Sequence, residues 1–148
     1  MSTIILYGSQ TGNAEEISSH LSKEFNCEKM IMNNYSKNIS ELNNFENIIF
    51  ICSTTGNGEF PENASSFWKT IKKRDIMKDI IKDVKFTICA LGDTNYSNFC
   101  ESGRKLSKRL KELGGTEIMS IFFVDAVDDE EEQIEIYKKK VLDIIFKE

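Results

Sequence analysis

The chain has 148 residues, a mass of 17.0 kDa and 40% hydrophobic residues, enough for one folded domain and too apolar for a disordered tail. A formal charge of −5 and a pI near 5.1 argue against nucleic acid as the main ligand, because duplex binding needs a basic footprint. No apolar run reaches membrane-spanning length, and the N-terminus lacks a signal-peptide layout. Cys27, Cys52, Cys89 and Cys100 show no CxxC spacing and have only His20 as a potential co-ligand, so zinc is disfavoured. Reduced thiols in a cytoplasmic compartment are expected.

Residues 3–7 are a short apolar run, predicted as the first strand. Residues 13–25 place Ala14, Ile17, Leu21 and Phe25 on one helical face. Residues 28–32 read as a weak second strand, and the Asn- and Ser-rich stretch that follows as irregular, with one helical turn near 39–42. The unbroken apolar run 47–52 is that of a strand covered on both faces. Residues 62–74 are helical with Ala64, Phe67, Trp68 and Ile71 inward, and 85–91 form the fourth strand. Residues 101–113 are a helix stopped by Gly114-Gly115, 117–124 the fifth strand and 130–146 the closing helix. Strand and helix alternate without a hairpin signal. The expected fold is a single doubly wound α/β domain, a five-stranded parallel sheet with helices on both faces; if its order is 2-1-3-4-5, the first, third and fourth strands are adjacent.

Gly8, Gly12, Gly56, Gly58 and Gly92 fall just after the first, third and fourth strands. That edge, the carboxyl end of the sheet, is where doubly wound proteins bind ligands. Turn chemistry explains any one of these loops; three on one edge point to a ligand. Ser9, Gln10, Thr11, Gly12 and Asn13 supply hydroxyls, amides and backbone N–H groups at a helix start, with no Lys or Arg. Such a loop suits a phosphate monoester held by hydrogen bonds and the helix dipole, with Thr11 in a capping box as the plain alternative. It is not a G-x-x-x-x-G-K-S/T nucleotide loop, because Gly8 and Gly12 are too close and Asn13 stands where Lys is needed. It is not a dinucleotide fingerprint either, since the Gly56-Asn57-Gly58 run meets Pro61 at the third glycine. A low-molecular-weight phosphatase would need Arg where Gly58 follows Cys52, and a receiver domain would need Asp where Cys52-Ser53 ends the third strand.

GSQTGNAEE, STTGNGEFPENA, LGDTNYSNFCESGRKLSKRLKELGG and VDAVDDEEE resemble, in order and spacing, the FMN-binding domain of the diflavin reductases. That flavodoxin-like group includes NADPH–cytochrome reductase, methionine synthase reductase and the reductase of cytosolic iron–sulfur assembly. The Ser-Thr-Thr-Gly and Tyr-x-x-Phe-Cys runs look closer to the last two. The resemblance implies a phosphate loop at Ser9, Gln10, Thr11, Gly12, Asn13 and Ala14, and an inner flavin loop at Ser53, Thr54, Thr55, Gly56, Asn57 and Gly58. It implies an outer loop at Leu91, Gly92, Asp93, Asn95, Tyr96, Asn98, Phe99 and Cys100, with Tyr96 stacked on the ring. Asp128 or Asp129 matches an acidic residue near the flavin, and the Gly56 carbonyl matches an acceptor for the flavin N5–H. Thr55 departs from members that carry an aromatic residue there, which implies a less covered ring face and weaker FMN binding.

The implied function is an FMN domain passing single electrons from an FAD- and NADPH-binding reductase to an acceptor. The acidic run 125–132 would dock a basic-surfaced redox partner, with the chain as a monomer; as a plain feature it is a solvated helix start. The alternatives are an FMN-dependent NAD(P)H quinone or nitro reductase, and a flavin-free interaction domain on the same fold. Cys52, Cys89 and Trp68 read as core, and His20 as an exposed helix residue.

Overall fold

Runs of Ile, Leu and Phe with no charge cannot face water, so Ile4-Ile5-Leu6 and Ile48-Ile49-Phe50-Ile51 form the fully buried centre of a sheet. The computed structural model describes residues 2–55 and 57–147. In chain order the elements are β1 (Thr3–Gly8), α1 (Asn13–Phe25), β2 (Glu28–Ile31), β3 (Asn47–Ser53), α2 (Glu62–Ile71) and β4 (Lys85–Gly92). They continue with α3 (Glu101–Glu112), β5 (Thr116–Glu117), β6 (Phe122–Asp125) and α4 (Glu130–Ile144). Two short 3₁₀ turns, Met32–Tyr35 and Ile39–Asn44, bridge β2 and β3.

The sheet is parallel in the order β2-β1-β3-β4-β5, with β6 also on β4. Side chains of a strand alternate between faces, which divides the core in two. Ile4, Leu6, Ile48, Phe50, Phe86 and Ile88 pack with α2 and α3 through Phe67, Ile71, Leu106 and Leu110. Ile5, Tyr7, Ile49, Ile51, Cys89 and Leu91 pack with α1 and α4 through Leu21, Phe25, Tyr137 and Val141.

The expected fifth strand is broken in two. Glu117 pairs with Phe86 and Phe122 with Cys89, so the four edge residues between them run beside only two of β4. The surplus bulges out at 118–121, where Ile118 and Met119 turn toward the α1/α4 core and Ile121 toward the other. Helix α2 also ends earlier than its periodicity suggests. Arg109 of α3 donates from Nε to the Ile71 carbonyl at 2.6 Å and from Nη2 to the Lys73 carbonyl at 2.8 Å, so a neighbouring cation satisfies the helix end. Trp68 is half-buried, stacked on Phe60 with ring centroids 4.7 Å apart.

Register sets the working edge. Gly8 lies opposite Cys52, Ser53 opposite Leu91, and Gly92 opposite Asp125, so the loops after β1, β3, β4 and β6 leave the sheet side by side.

Candidate functional site

The loop after β1 is held by its own polar groups. The Ser9 N–H donates to Asn63 Oδ1 at 2.8 Å, and the Gly12 N–H donates to Ser9 Oγ at 2.9 Å. Gly12 has φ of 92°, a left-handed turn that lets the chain enter α1 with its first N–H groups facing outward. No side chain caps that helix, so the capping-box role considered for Thr11 is not realised. Among the described residues, the backbone N–H groups of Gln10 and Thr11 have no acceptor. Unpaired donors at an exposed helix start, with no cation beside them, fit a phosphate monoester. Asn13 turns its amide to the far wall, donating from Nδ2 to Glu130 Oε2 at 3.0 Å.

The loop after β3 is anchored from below. The Thr54 hydroxyl and Ser102 Oγ lie 2.7 Å apart, and Ser102 Oγ donates to the Ser53 carbonyl at 2.8 Å. Thr55 closes the following turn, accepting the Gly58 N–H on its carbonyl at 2.9 Å and the Glu59 N–H on its hydroxyl at 3.1 Å.

The loop after β4 is built on two aspartates. Asp93 Oδ1 accepts the Asn95 N–H at 2.8 Å and the Asp93 carbonyl accepts the Tyr96 N–H at 3.0 Å. Asp125 Oδ1 accepts the Thr94 N–H at 3.1 Å and the Val127 N–H at 3.2 Å, tying this loop to the one after β6. Burial pushes the Asp125 carboxyl up, but the hydrogen bonds from Thr94 and Val127 outweigh it and hold the group below the usual aspartate value. Burial raises the Cys100 thiol to about 12 against the opposing pull of Arg104, and the thiol donates to the Ala90 carbonyl, so it is no nucleophile at neutral pH.

Together these loops enclose a cavity of about 330 Å³, within the range of small-molecule sites. Its walls bring together Gln10, Thr11 and Asn13; Ser53, Thr54 and Thr55; and Leu91, Gly92, Asp93, Tyr96, Asn98, Phe99 and Cys100. Tyr96 stands at the rim, 57% exposed. Other sequence candidates stand outside the walls. Ser9 and Gly12 shape the first loop from behind, and Ala14 is fully buried under α1. Asn57 and Asn95 are exposed, and Gly58 supports Asn98, whose Cγ lies 3.0 Å from where a Cβ would be. Asp128 is exposed and Asp129 caps α4, accepting the Glu132 N–H at 3.1 Å. Gly56 lies outside the described residues.

Two of the clustered glycines have a different reason from the one the sequence suggested. A Cβ on Gly8 would stand 2.7 Å from Ala64 Cβ, and one on Gly92 2.9 Å from Cys100 Sγ, so both admit neighbouring protein atoms. Two lining residues, Ala126 and Glu130, were not among the cofactor-binding candidates of the sequence, where Glu130 belonged to the acidic run read as a docking surface. Their signal was the loop after the last strand, which the parallel order puts on the same edge; the Ala126 N–H donates to the Gly92 carbonyl at 2.8 Å.

The family profile described as Flavodoxin matches residues 5–139. The chain is 36% identical over 121 residues to NADPH-dependent diflavin oxidoreductase 1 of Xenopus laevis, covering 78% of this chain and 20% of that one. It is 37% identical over 119 residues to the sulfite reductase [NADPH] flavoprotein alpha-component of Bacillus subtilis, covering 77% and 19%. It thus spans about a fifth of the length of these curated relatives. A cysteine-to-serine mutant of flavodoxin from Pseudomonas aeruginosa superposes with a TM-score of 0.81 at 25% identity, over 99% of this chain and 100% of that one. Oxidised flavodoxin 2 from Bacillus cereus has the same fold, with a TM-score of 0.77 at 24% identity over 97% and 99% of the two chains.

Proposed function

The chain belongs to the flavodoxin family, and from that premise we propose that it binds FMN in the cleft and passes single electrons from a flavoprotein reductase to a redox acceptor. The observation that carries the reading is the first loop: an uncapped helix start and unpaired N–H groups, with neither Lys nor Arg, at one end of a cavity walled by Tyr96 and by Ser53, Thr54 and Thr55 of the inner loop.

Bound FMN supplies one-electron chemistry that no side chain here can perform. The chain's residues position it and set its electrostatics. Gln10, Thr11 and Asn13 would hold the phosphate through N–H and side-chain donors. Tyr96 would cover one ring face, and Phe99 and Leu91 would keep water from the cleft floor. Asp93 and Glu130 put two carboxylates in the walls, so the site opposes the arrival of a second negative charge and lowers the potential for the second electron.

The similarity to diflavin oxidoreductases favours an FAD- and NADPH-binding partner, or a second part of the same protein, as electron donor. The cytoplasm is the proposed compartment, in keeping with four free thiols of which three are buried. Nothing in the cleft favours a separate NAD(P)H site, so direct quinone or nitro reduction is the weaker reading.

The test is an absorbance spectrum of the purified protein with FMN, followed by anaerobic stepwise reduction. Flavin bands that change through two separate one-electron stages support the reading. No bound flavin at saturating FMN, or steady NAD(P)H oxidation by the protein alone, overturns it.

A further inference from the structure

Ser102 does not line the cleft, yet its hydroxyl touches one wall and its backbone begins the helix that carries another. The side chain is fully buried in the first turn of α3. Its one hydroxyl proton goes to the Ser53 carbonyl at 2.8 Å, which leaves Ser102 Oγ as the acceptor for the Thr54 hydroxyl at 2.7 Å. Thr54 Oγ1 in turn accepts the Ser102 N–H at 3.1 Å. The three bonds close a ring with every donor used.

That ring also caps a helix. The N-cap of α3 is Cys100, which has φ of 52° and makes no side-chain cap. The missing cap comes from Thr54, a residue of another loop. The outer loop runs directly into this turn, with the Glu101 N–H on the Asn98 carbonyl at 3.1 Å. Ser102 reaches Ser53 because α3 presses against β4 at Gly103, where a Cβ would stand 2.6 Å from Ala90 Cβ.

We propose that Ser102 is a positioning residue that locks the inner loop at 53–55 and the outer loop at 93–100 into one unit, so that neither flank of the cleft orders without the other. Its consequence for FMN affinity rests on the proposed function; the coupling itself does not. The ring also withdraws the Thr54 hydroxyl proton from any ligand.

The experiment measures amide hydrogen exchange of the FMN-free protein, then FMN affinity by flavin fluorescence, in Ser102→Ala, Thr54→Val and Ser107→Ala. Ser107 is the control: it is buried on the same helix, with its hydroxyl on Glu117 Oε2 at 2.6 Å, away from the cleft. Ser102→Ala is expected to speed exchange in both 53–55 and 93–101 and to weaken FMN binding about tenfold, the usual scale for orphaning a buried hydrogen-bond partner. Thr54→Val, at a half-exposed position, is expected to speed exchange in 98–102 across the cleft. Ser107→Ala is expected to lower the melting temperature and leave both segments and FMN affinity unchanged. The proposal is overturned if Ser102→Ala loosens one segment only or behaves as Ser107→Ala does. If Ser102→Ala fails to fold, Thr54→Val decides, and no change across the cleft overturns the coupling. A wild-type protein that binds no FMN would remove the proposed function, while the exchange result would still decide on Ser102.

Discussion

Gly12 and Glu130 each bear on the proposed phosphate loop, which has no cation among its described residues. Gly12 sits at φ of 92° with nothing within 4 Å of where a Cβ would stand, so Gly12→Ala meets no clash and only backbone strain. That strain is about 1–2 kcal/mol, and the variant should melt lower and bind FMN more weakly. Glu130 places a carboxylate 3.0 Å from the Asn13 amide, beside the loop proposed to hold the phosphate. Glu130→Gln keeps an acceptor for Asn13 and removes the charge, so FMN affinity should rise, and the gain should shrink in high salt. Asp125 makes the loops pH-sensitive. Its folded value is depressed, so its contribution is present above the unfolded aspartate value, about 3.9, and is lost as pH falls through the lower folded one. Protection of the Thr94 and Val127 amides, taken relative to their intrinsic exchange rates at each pH, should therefore fall in acid, and Asp125→Asn should show reduced protection already at neutral pH.

At the scale of elements, two contacts hold helices at fixed distances from the sheet. Gly103 lets α3 rest on β4, and Gly103→Ala, forced within 2.6 Å of Ala90 Cβ, should destabilise by about 1–3 kcal/mol and lift α3 from the inner loop. On the other face Tyr137 is fully buried, its hydroxyl 3.0 Å from Thr87 Oγ1 and its ring 5.2 Å from that of Phe122. Tyr137→Phe leaves the buried Thr87 hydroxyl without its partner and should cost roughly 1–3 kcal/mol in a denaturant titration. By contrast, Lys138 bridges α4 to α1 through Glu24 at 2.9 Å, but Glu24 is exposed and its second partner Glu135 half-exposed, and Lys138→Ala should barely move the transition.

Over the whole molecule, acidic side chains crowd the cleft edge, while the opposite end mixes bases with Asp75, Asp79 and Asp83. Glu15, Glu16, Asp93, Asp125 and the acids of 128–132 gather at the cleft edge, whereas Lys72, Lys73, Arg74 and Lys78 follow α2 to the opposite end. A donor or acceptor with a basic face would be drawn to the cleft edge by this field. Its electron-transfer rate with this protein should fall steadily as salt is added in stopped-flow mixing; a flat salt profile would mean that docking does not use these acids.

The order of the sheet was implied by the family resemblance, whereas the alternation of strand and helix and three of the loops that meet at the cleft could be read directly from the sequence. Each rests on local chemistry: the period of apolar residues, the helix stop at Gly114-Gly115, and glycine and amides after strands. Tertiary packing decided what depends on register between distant segments. The break at 118–121 follows from the pairing of two edge segments with β4, and no local period announces it. Glu130 joined the cleft because Asp125 lies opposite Gly92, while Asp128 and Asp129, just before it, were left on a helix start. Ser102 looks like any serine on a helical face, and only the approach of α3 to β4 brings it to Thr54, 48 positions away. A local pattern determines which faces are apolar and where the chain turns; which polar atoms meet is set by how the helices seat on the sheet.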